Sequence, residues 1–116
     1  MQIEVKGRNV SVTDDLREHV ERRFSKVGRQ VSELARLEVE FGHERNPSNP
    51  EAEVVEATLY LKGVTLRAKD SSRDLKHSVN LCEEELCRQV KRHRDTRRKR
   101  REAHAASPRN GVQPAL

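Results

Sequence analysis

The stretch from Arg88 to Arg101 is dominated by Arg and Lys, with Asp95 as its one acid. Residues of that type and density do electrostatic work: they hold phosphates by displacing condensed counterions, about one per neutralised phosphate. The other side chains with chemical potential are more scattered. Glu83, Glu84 and Glu85 are consecutive, so on a helix they fan outward and do not converge on a substrate. Ser71 and Ser72 precede a helical pattern and have a capping role to fill, and His19 and His77 stand without an evident acid or nucleophile. Cys82 and Cys87 are five residues apart within one helical pattern, about 140° on the wheel, so they share neither a metal nor a disulfide. His77 and His93 lie too far along the same helix to complete a zinc site. A glycine-rich phosphate loop is absent from the sequence. No catalytic constellation emerges, and a binding protein without cofactor, metal or small-molecule substrate is expected.

The charge distribution sharpens this. Residues 1–90 hold 15 Lys/Arg against 17 Asp/Glu, a net of −2, whereas residues 91–116 hold 9 against 2, a net of +7. All excess positive charge therefore sits in the last quarter of the chain, which points to a polyanionic partner. A solubilising tail is the plainer explanation of the same run. A membrane surface would demand an apolar face beside it, and none continues past Val90. The 116 residues suit one domain, and with 33% hydrophobic and 37% charged residues its core must be thin. The sequence has no apolar run long enough for a signal peptide or membrane span, so a cytosolic protein is expected.

The elements that would position these residues follow from periodicity. Ile3 and Val5 alternate with polar neighbours as a first strand, which Gly7 to Val12 finishes or leads out of. Thr13 is an N-cap before Asp14 and Asp15. Leu16, Val20, Phe24 and Val27 then form one helical stripe, with Gly28 as the stop. Leu37, Val39 and Phe41 give a second strand, followed by a loop from Gly42 to Pro50. Val55, Ala57, Leu59 and Leu61 give a third, Lys62-Gly63 a two-residue turn, and Val64, Leu66 and Ala68 a fourth. Ser71 to Asp74 reads as a capping box for a second helix. Leu75, Val79, Cys82, Leu86 and Val90 step by four, three, four and four along it. That helix runs at least to Val90 and has room to reach Arg101, with an irregular tail beyond.

The expected fold is α+β in the order β-α-β-β-β-α, a four-stranded sheet with both helices on its one apolar face. The other sheet face carries Glu38, Glu40, Glu56, Thr58, Tyr60, Thr65 and Arg67, a poor platform for nucleic acid. Phe24 and Phe41 fall on core faces, leaving Tyr60 as the one candidate for base stacking, so shape and phosphate recognition is expected. Basic residues then belong to the helices: Arg17, Arg22, Arg23, Lys26 and Arg29 on or near the first, and Arg73, Lys76, Arg88, Lys91, Arg92 and Arg94 on the second. Two parallel helices would leave a groove that both sets could line. The competing expectation is a solvated surface on which Arg and Glu pair with one another.

The chain resembles the ribosome hibernation-promoting factors, also called ribosome-associated inhibitor or sigma-54 modulation proteins. The opening Met1-Gln2-Ile3-Glu4-Val5-Lys6-Gly7-Arg8-Asn9 is similar to the family's Met-x-Ile-x-Val-x-Gly-Arg/Lys-Asn. Thr13-Asp14-Asp15-Leu16-Arg17-Glu18-His19-Val20 resembles its Thr-x-x-Leu-Arg-x-x-Val, and Leu86-Cys87-Arg88-Gln89-Val90-Lys91-Arg92 its Leu-x-Arg-Gln-Leu-x-Lys. The likeness runs from Met1 to about Arg101. It implies a fold similar to double-stranded-RNA-binding domains over 1–101; the lack of period beyond makes 102–116 an expected disordered tail. It also implies binding to the small ribosomal subunit (16S-type rRNA) in the mRNA and tRNA channel, with inhibition of translation and preservation of idle ribosomes in stationary phase.

By position, the resemblance implies rRNA contacts at Arg88, Lys91, Arg92 and Arg94, with Arg22, Arg23, Lys26 and Lys76 as further candidates. The run from Arg97 to Arg101 would add nonspecific attraction. The chain departs from the family's Asp-Met-Tyr-Ala-Ala-Ile-Asp at the second helix, having Asp74-Leu75-Lys76-His77-Ser78-Val79-Asn80 there. Long members carry a C-terminal domain that pairs two ribosomes. No such self-dimerisation domain is recognisable up to Leu116, so this chain is expected to bind a single ribosome. The alternatives are a general double-stranded-RNA-binding protein or RNA chaperone, and a module for acidic protein partners.

Overall fold

The computed structural model describes residues 1–44 and 52–110, with side chains through Ala103. Its elements are β1 (Gln2–Arg8), α1 (Asp14–Gly28), β2 (Arg36–His43), β3 (Glu53–Leu61), β4 (Val64–Ser72) and α2 (Leu75–Asn110). The α+β order is the one expected, and the strands form one sheet in the order β1-β2-β3-β4. Here β1 and β2 are parallel, joined through α1, while β2–β3 and β3–β4 are antiparallel.

Register aligns the apolar residues in rows across the sheet. Val5 lies beside Val39, which faces Ala57 and then Ala68. Ile3, Leu37, Leu59 and Leu66 form the next row. Because side chains alternate along a strand, all these point to one face. There they meet Val20, Phe24 and Val27 of α1 and Val79, Cys82, Leu86 and Val90 of α2 in a single cluster. The opposite face carries the polar residues, and Tyr60 is engaged on it. Arg36 sits 4.4 Å above the Tyr60 ring, and the hydroxyl donates to Glu38 at 3.3 Å.

Several boundaries differ from the sequence expectation, each for a local reason. Gly42 and His43 pair with Val54 and Glu53, so β2 runs into the expected loop; residues 45–51 of that loop lie outside the described residues. The Thr13 side chain accepts from the Leu16 backbone at 3.1 Å, as an N-cap does. Gly28 is not a left-handed stop. It is the last residue of α1, followed by Arg29 in helical geometry, and a Cβ there would come within 3.5 Å of the Met1 side chain. Ser71 pairs with Val54 inside β4, so the expected capping box does not form. Asp74 is the cap instead, accepting from the His77 backbone at 3.2 Å, while Ser72 Oγ accepts from the Asp74 backbone at 3.2 Å.

Two turns impose backbone demands. Gly63 has φ +80, the left-handed value that a type II turn requires of its third residue. A Cβ on Gly7 would lie 2.0 Å from the Val10 carbonyl oxygen, and Asn9 has φ 58, so the exit from β1 needs both residue types.

Helix α2 is the largest departure. It continues through Arg101 to Asn110, a length of about 54 Å at 1.5 Å per residue. The irregular tail expected from residue 102 is therefore helical to Asn110, and residues 111–116 lie outside the described residues. Arg98 lies within 3.9 Å of Asp95 and 4.0 Å of Glu102, helical spacings that support the extension weakly. Ala103, Ala105 and Ala106 supply strong helix propensity.

Candidate nucleic-acid interface

The two helices run in the same direction, and polar partners bridge the seam between them. Lys76 Nζ lies 2.5 Å from Asp15, His19 Nε2 lies 2.9 Å from Asn80 Oδ1, and Arg23 reaches Glu83 and Glu84 at 2.9 and 3.2 Å. Farther along, Arg94 donates to Gln30 at 3.4 Å. The separations in sequence are 61, 60 and 61 for the His19 and Arg23 contacts, so the ladder keeps step along both helices, and widen to 64 at Gln30, past the end of α1.

This ladder changes the groove expected from sequence. Arg23 and Lys76 do not stand free over it, because each neutralises an acid on the facing helix. Asp15 responds with its carboxyl held below its ordinary value, first through the Lys76 hydrogen bond and then through that ammonium's charge. Glu83 is 3% exposed and also accepts from the Cys87 thiol at 2.8 Å. Among the sequence-derived residues of α1, Arg22 and Lys26 remain at the surface. Together with His19 and Arg23 they line one shallow depression, and Arg22 lies 3.6 Å from Glu18 in an exposed pair worth little. Lys26 has no ion-pair partner among the described residues.

On α2 the basic residues divide by direction. Relative to buried Val90, Arg88 and Arg92 lie roughly 160° away on either side, and Lys91 about 100° away, so all three face solvent. Arg94 is only about 40° from Val90, on the sheet side. Arg88 donates to Glu85 at 2.8 and 3.3 Å; that contact lowers the Glu85 carboxyl and raises the Arg88 guanidinium from their ordinary values. Lys91 and Arg92 are exposed and have no ion-pair partner among the described residues. A surface of unpaired cations on a rigid helix can hold a phosphate backbone at a set orientation.

Neither cysteine belongs to this surface. Cys82 is buried, and burial first, with Asp70 nearby, pushes its thiol up to about 12. Burial and donation to Glu83 push Cys87 to about 12 as well. Among the described residues no group of three His, Cys, Asp or Glu could hold a metal ion, and no helix is long and apolar enough to cross a membrane.

Residues 3–98 match the family model described as "Sigma 54 modulation protein / S30EA ribosomal protein". The chain belongs to that family. It is 35% identical over 118 aligned positions to a ribosome hibernation promotion factor of Lactococcus lactis subsp. cremoris, an alignment covering 97% of this chain and 56% of the relative. A protein of the same name from Staphylococcus aureus is 32% identical over 81% of this chain and 48% of its own length. The chain thus spans about half the length of these relatives. A ribosomal subunit interface protein from Coxiella burnetii shares the fold, with a TM-score of 0.68 at 23% identity over 82% of this chain and 99% of that one.

Sequence reasoning found the solvent-facing cations of α2 but missed two things. It did not see that Arg23 and Lys76 are committed to the seam. It also did not see that Arg97 and Arg101 line the same cleft as Arg94. The signal was present: after Val90 the spacing continues as Arg94, Arg97 and Arg101, in steps of four, three and four.

Proposed function

We propose that this chain is a ribosome hibernation factor that binds the small ribosomal subunit through rRNA in the mRNA and tRNA channel. By occupying that channel it would inhibit translation and preserve idle ribosomes, performing no chemistry itself. The observation that carries the reading is the solvent face of α2, where Lys91 and Arg92 have no ion-pair partner among the described residues and stand beside Arg88 on a helix anchored by Leu86 and Val90. The relatives named ribosome hibernation promotion factor support the choice of partner. Arg22, Lys26 and Arg94 extend the contact surface, while Arg23 and Lys76 act chiefly by holding α1 against α2.

The test is cosedimentation of the full chain with bacterial small subunits across a salt series. Wild type should bind at low salt and dissociate steeply as salt rises. Substituting Arg88, Lys91 and Arg92 together with Glu should abolish binding while leaving the melting transition in place. Replacement by Gln should lower the slope of log K against log salt by about 1 for each phosphate no longer neutralised. Retained binding in the folded Glu variant would overturn the assignment. Equal affinity of wild type for any RNA duplex would favour a general double-stranded-RNA binder.

A further inference from the structure

The core-facing stripe of α2 does not end where the core ends. Leu86 and Val90 belong to the apolar cluster, and Arg94, Arg97 and Arg101 continue the same line within roughly 60° of one another and Val90 on the helix wheel. Beneath this point the sheet runs out, because β3 ends at Leu61 and β4 begins at Val64. The arginines therefore overhang a cleft of about 260 Å³, closed on its other sides by Gln30, Val31 and Ser32 beyond α1 and by Leu61 and Lys62 of the hairpin. Val31 and Leu61 are half-buried against the core and Val90 is 2% exposed, so the floor is apolar. The rim carries Lys62, Arg94, Arg97 and Arg101, and among the described residues that line it none is acidic.

We propose that this cleft receives one unpaired nucleotide of the RNA on which α2 docks. The base would lie on Val31 and Leu61, and the adjoining phosphates among Arg94, Arg97 and Arg101. The inference rests on the RNA-binding reading above and adds a point of recognition to it. Phosphate alone would call for cations and not for an apolar floor. A paired base offers no free face to that floor, whereas an unpaired one does, and guanidinium planes stack on bases as well as binding phosphate. The volume falls below the roughly 300–1,000 Å³ of drug-sized sites, which leaves room for a single ring system and excludes a docked helix. The sequence places its few aromatics elsewhere, so this cleft is where a base could be sheltered from water.

The experiment is footprinting of the full chain on bacterial small ribosomal subunits, with a base-methylating reagent for bases and hydroxyl radicals for the backbone. Leu61→Trp fills the floor without altering charge. Arg97→Gln with Arg101→Gln removes two cations from exposed positions that do not support the core. Wild type should protect at least one unpaired base. Leu61→Trp should lose that protection and keep the backbone footprint. The double Gln variant should lose it too and bind on the order of tenfold more weakly. Base protections unchanged in both variants would overturn the inference, as would a wild-type backbone footprint with no unpaired base protected. Absence of any wild-type footprint would sink the ribosome reading itself. If Leu61→Trp fails to melt cooperatively, the double Gln variant decides.

Discussion

Arg23 of α1 donates through Nε to Oε1 of Glu83 on α2 at 2.9 Å, and that carboxylate is 3% exposed. The same guanidinium reaches the exposed Glu84 at 3.2 Å. A basic residue on a helix surface has thus become the partner that makes an enclosed acid tolerable. Removing it strands the Glu83 charge, whose desolvation is then uncompensated. Arg23→Ala should destabilise the domain by about 2–3 kcal/mol, less than for a fully buried pair because Arg23 is partly exposed. Urea denaturation measures this. Arg92→Ala should leave stability within about 0.5 kcal/mol and weaken RNA binding instead.

The turn after β1 predicts a sharper effect from a smaller change. A methyl group at Gly7 would sit 2.0 Å from the Val10 carbonyl oxygen, and the obstacle is backbone that has no rotamer to escape into. Gly7→Ala should cost about 2–3 kcal/mol through that overlap. Gly63→Ala, where nothing lies within 4 Å but φ is +80, should cost about 1 kcal/mol through backbone strain alone. Thermal melts of the two variants would rank them, and equal losses would contradict the clash.

Ser78 is fully buried and ties three segments together. Its hydroxyl donates to the Glu53 carbonyl at 2.7 Å and lies 2.8 Å from Ser72 Oγ and 3.1 Å from the Asp74 carbonyl. Ser78→Ala should destabilise by about 1–2 kcal/mol, since it leaves buried groups short of a partner. Ser78→Val should cost more, because it adds volume and removes the hydroxyl. Denaturation midpoints of the two proteins would show the order.

The thiols predict an alkaline limit. Cys82 and Cys87 have folded values pushed to about 12, above the ordinary thiol value of 9.0. The folded state favours the protonated form, so its advantage is complete below the ordinary value and is lost as pH rises toward the folded one. Stability should fall between pH 9 and pH 12, and Cys82→Ala with Cys87→Ala should flatten that fall. At pH 8 both thiols should react slowly with a disulfide reagent in the folded protein and rapidly in denaturant.

Amide exchange should divide α2 into two parts. From Leu75 to Val90 the helix is anchored by its buried stripe, whereas among the described residues beyond Val90 none belongs to the core cluster. A helical segment without tertiary packing has little beyond its own propensity to hold it. Amides of 95–103 should exchange much faster than those of 79–90, and bound small subunits should slow them. Uniform protection along α2 in the free protein would contradict this.

What the sequence determined by itself is everything encoded by local period. Alternation in Leu37, Val39 and Phe41 and in Val55, Ala57 and Leu59 set strands with one apolar face. The four-three-four steps of Leu75 to Val90 set the core side of α2. The excess of cations after Val90 was equally plain. The structure alone decided the parallel pairing of β1 with β2 and the register in which α1 lies against α2. Those two facts brought Arg23 to Glu83 and Lys76 to Asp15, taking two cations out of the free surface. They also placed Arg94, Arg97 and Arg101 over the open end of the sheet rather than in a featureless tail. No local pattern carries such information, because a contact between residues some 60 positions apart depends on how two helices are set in register on a shared sheet.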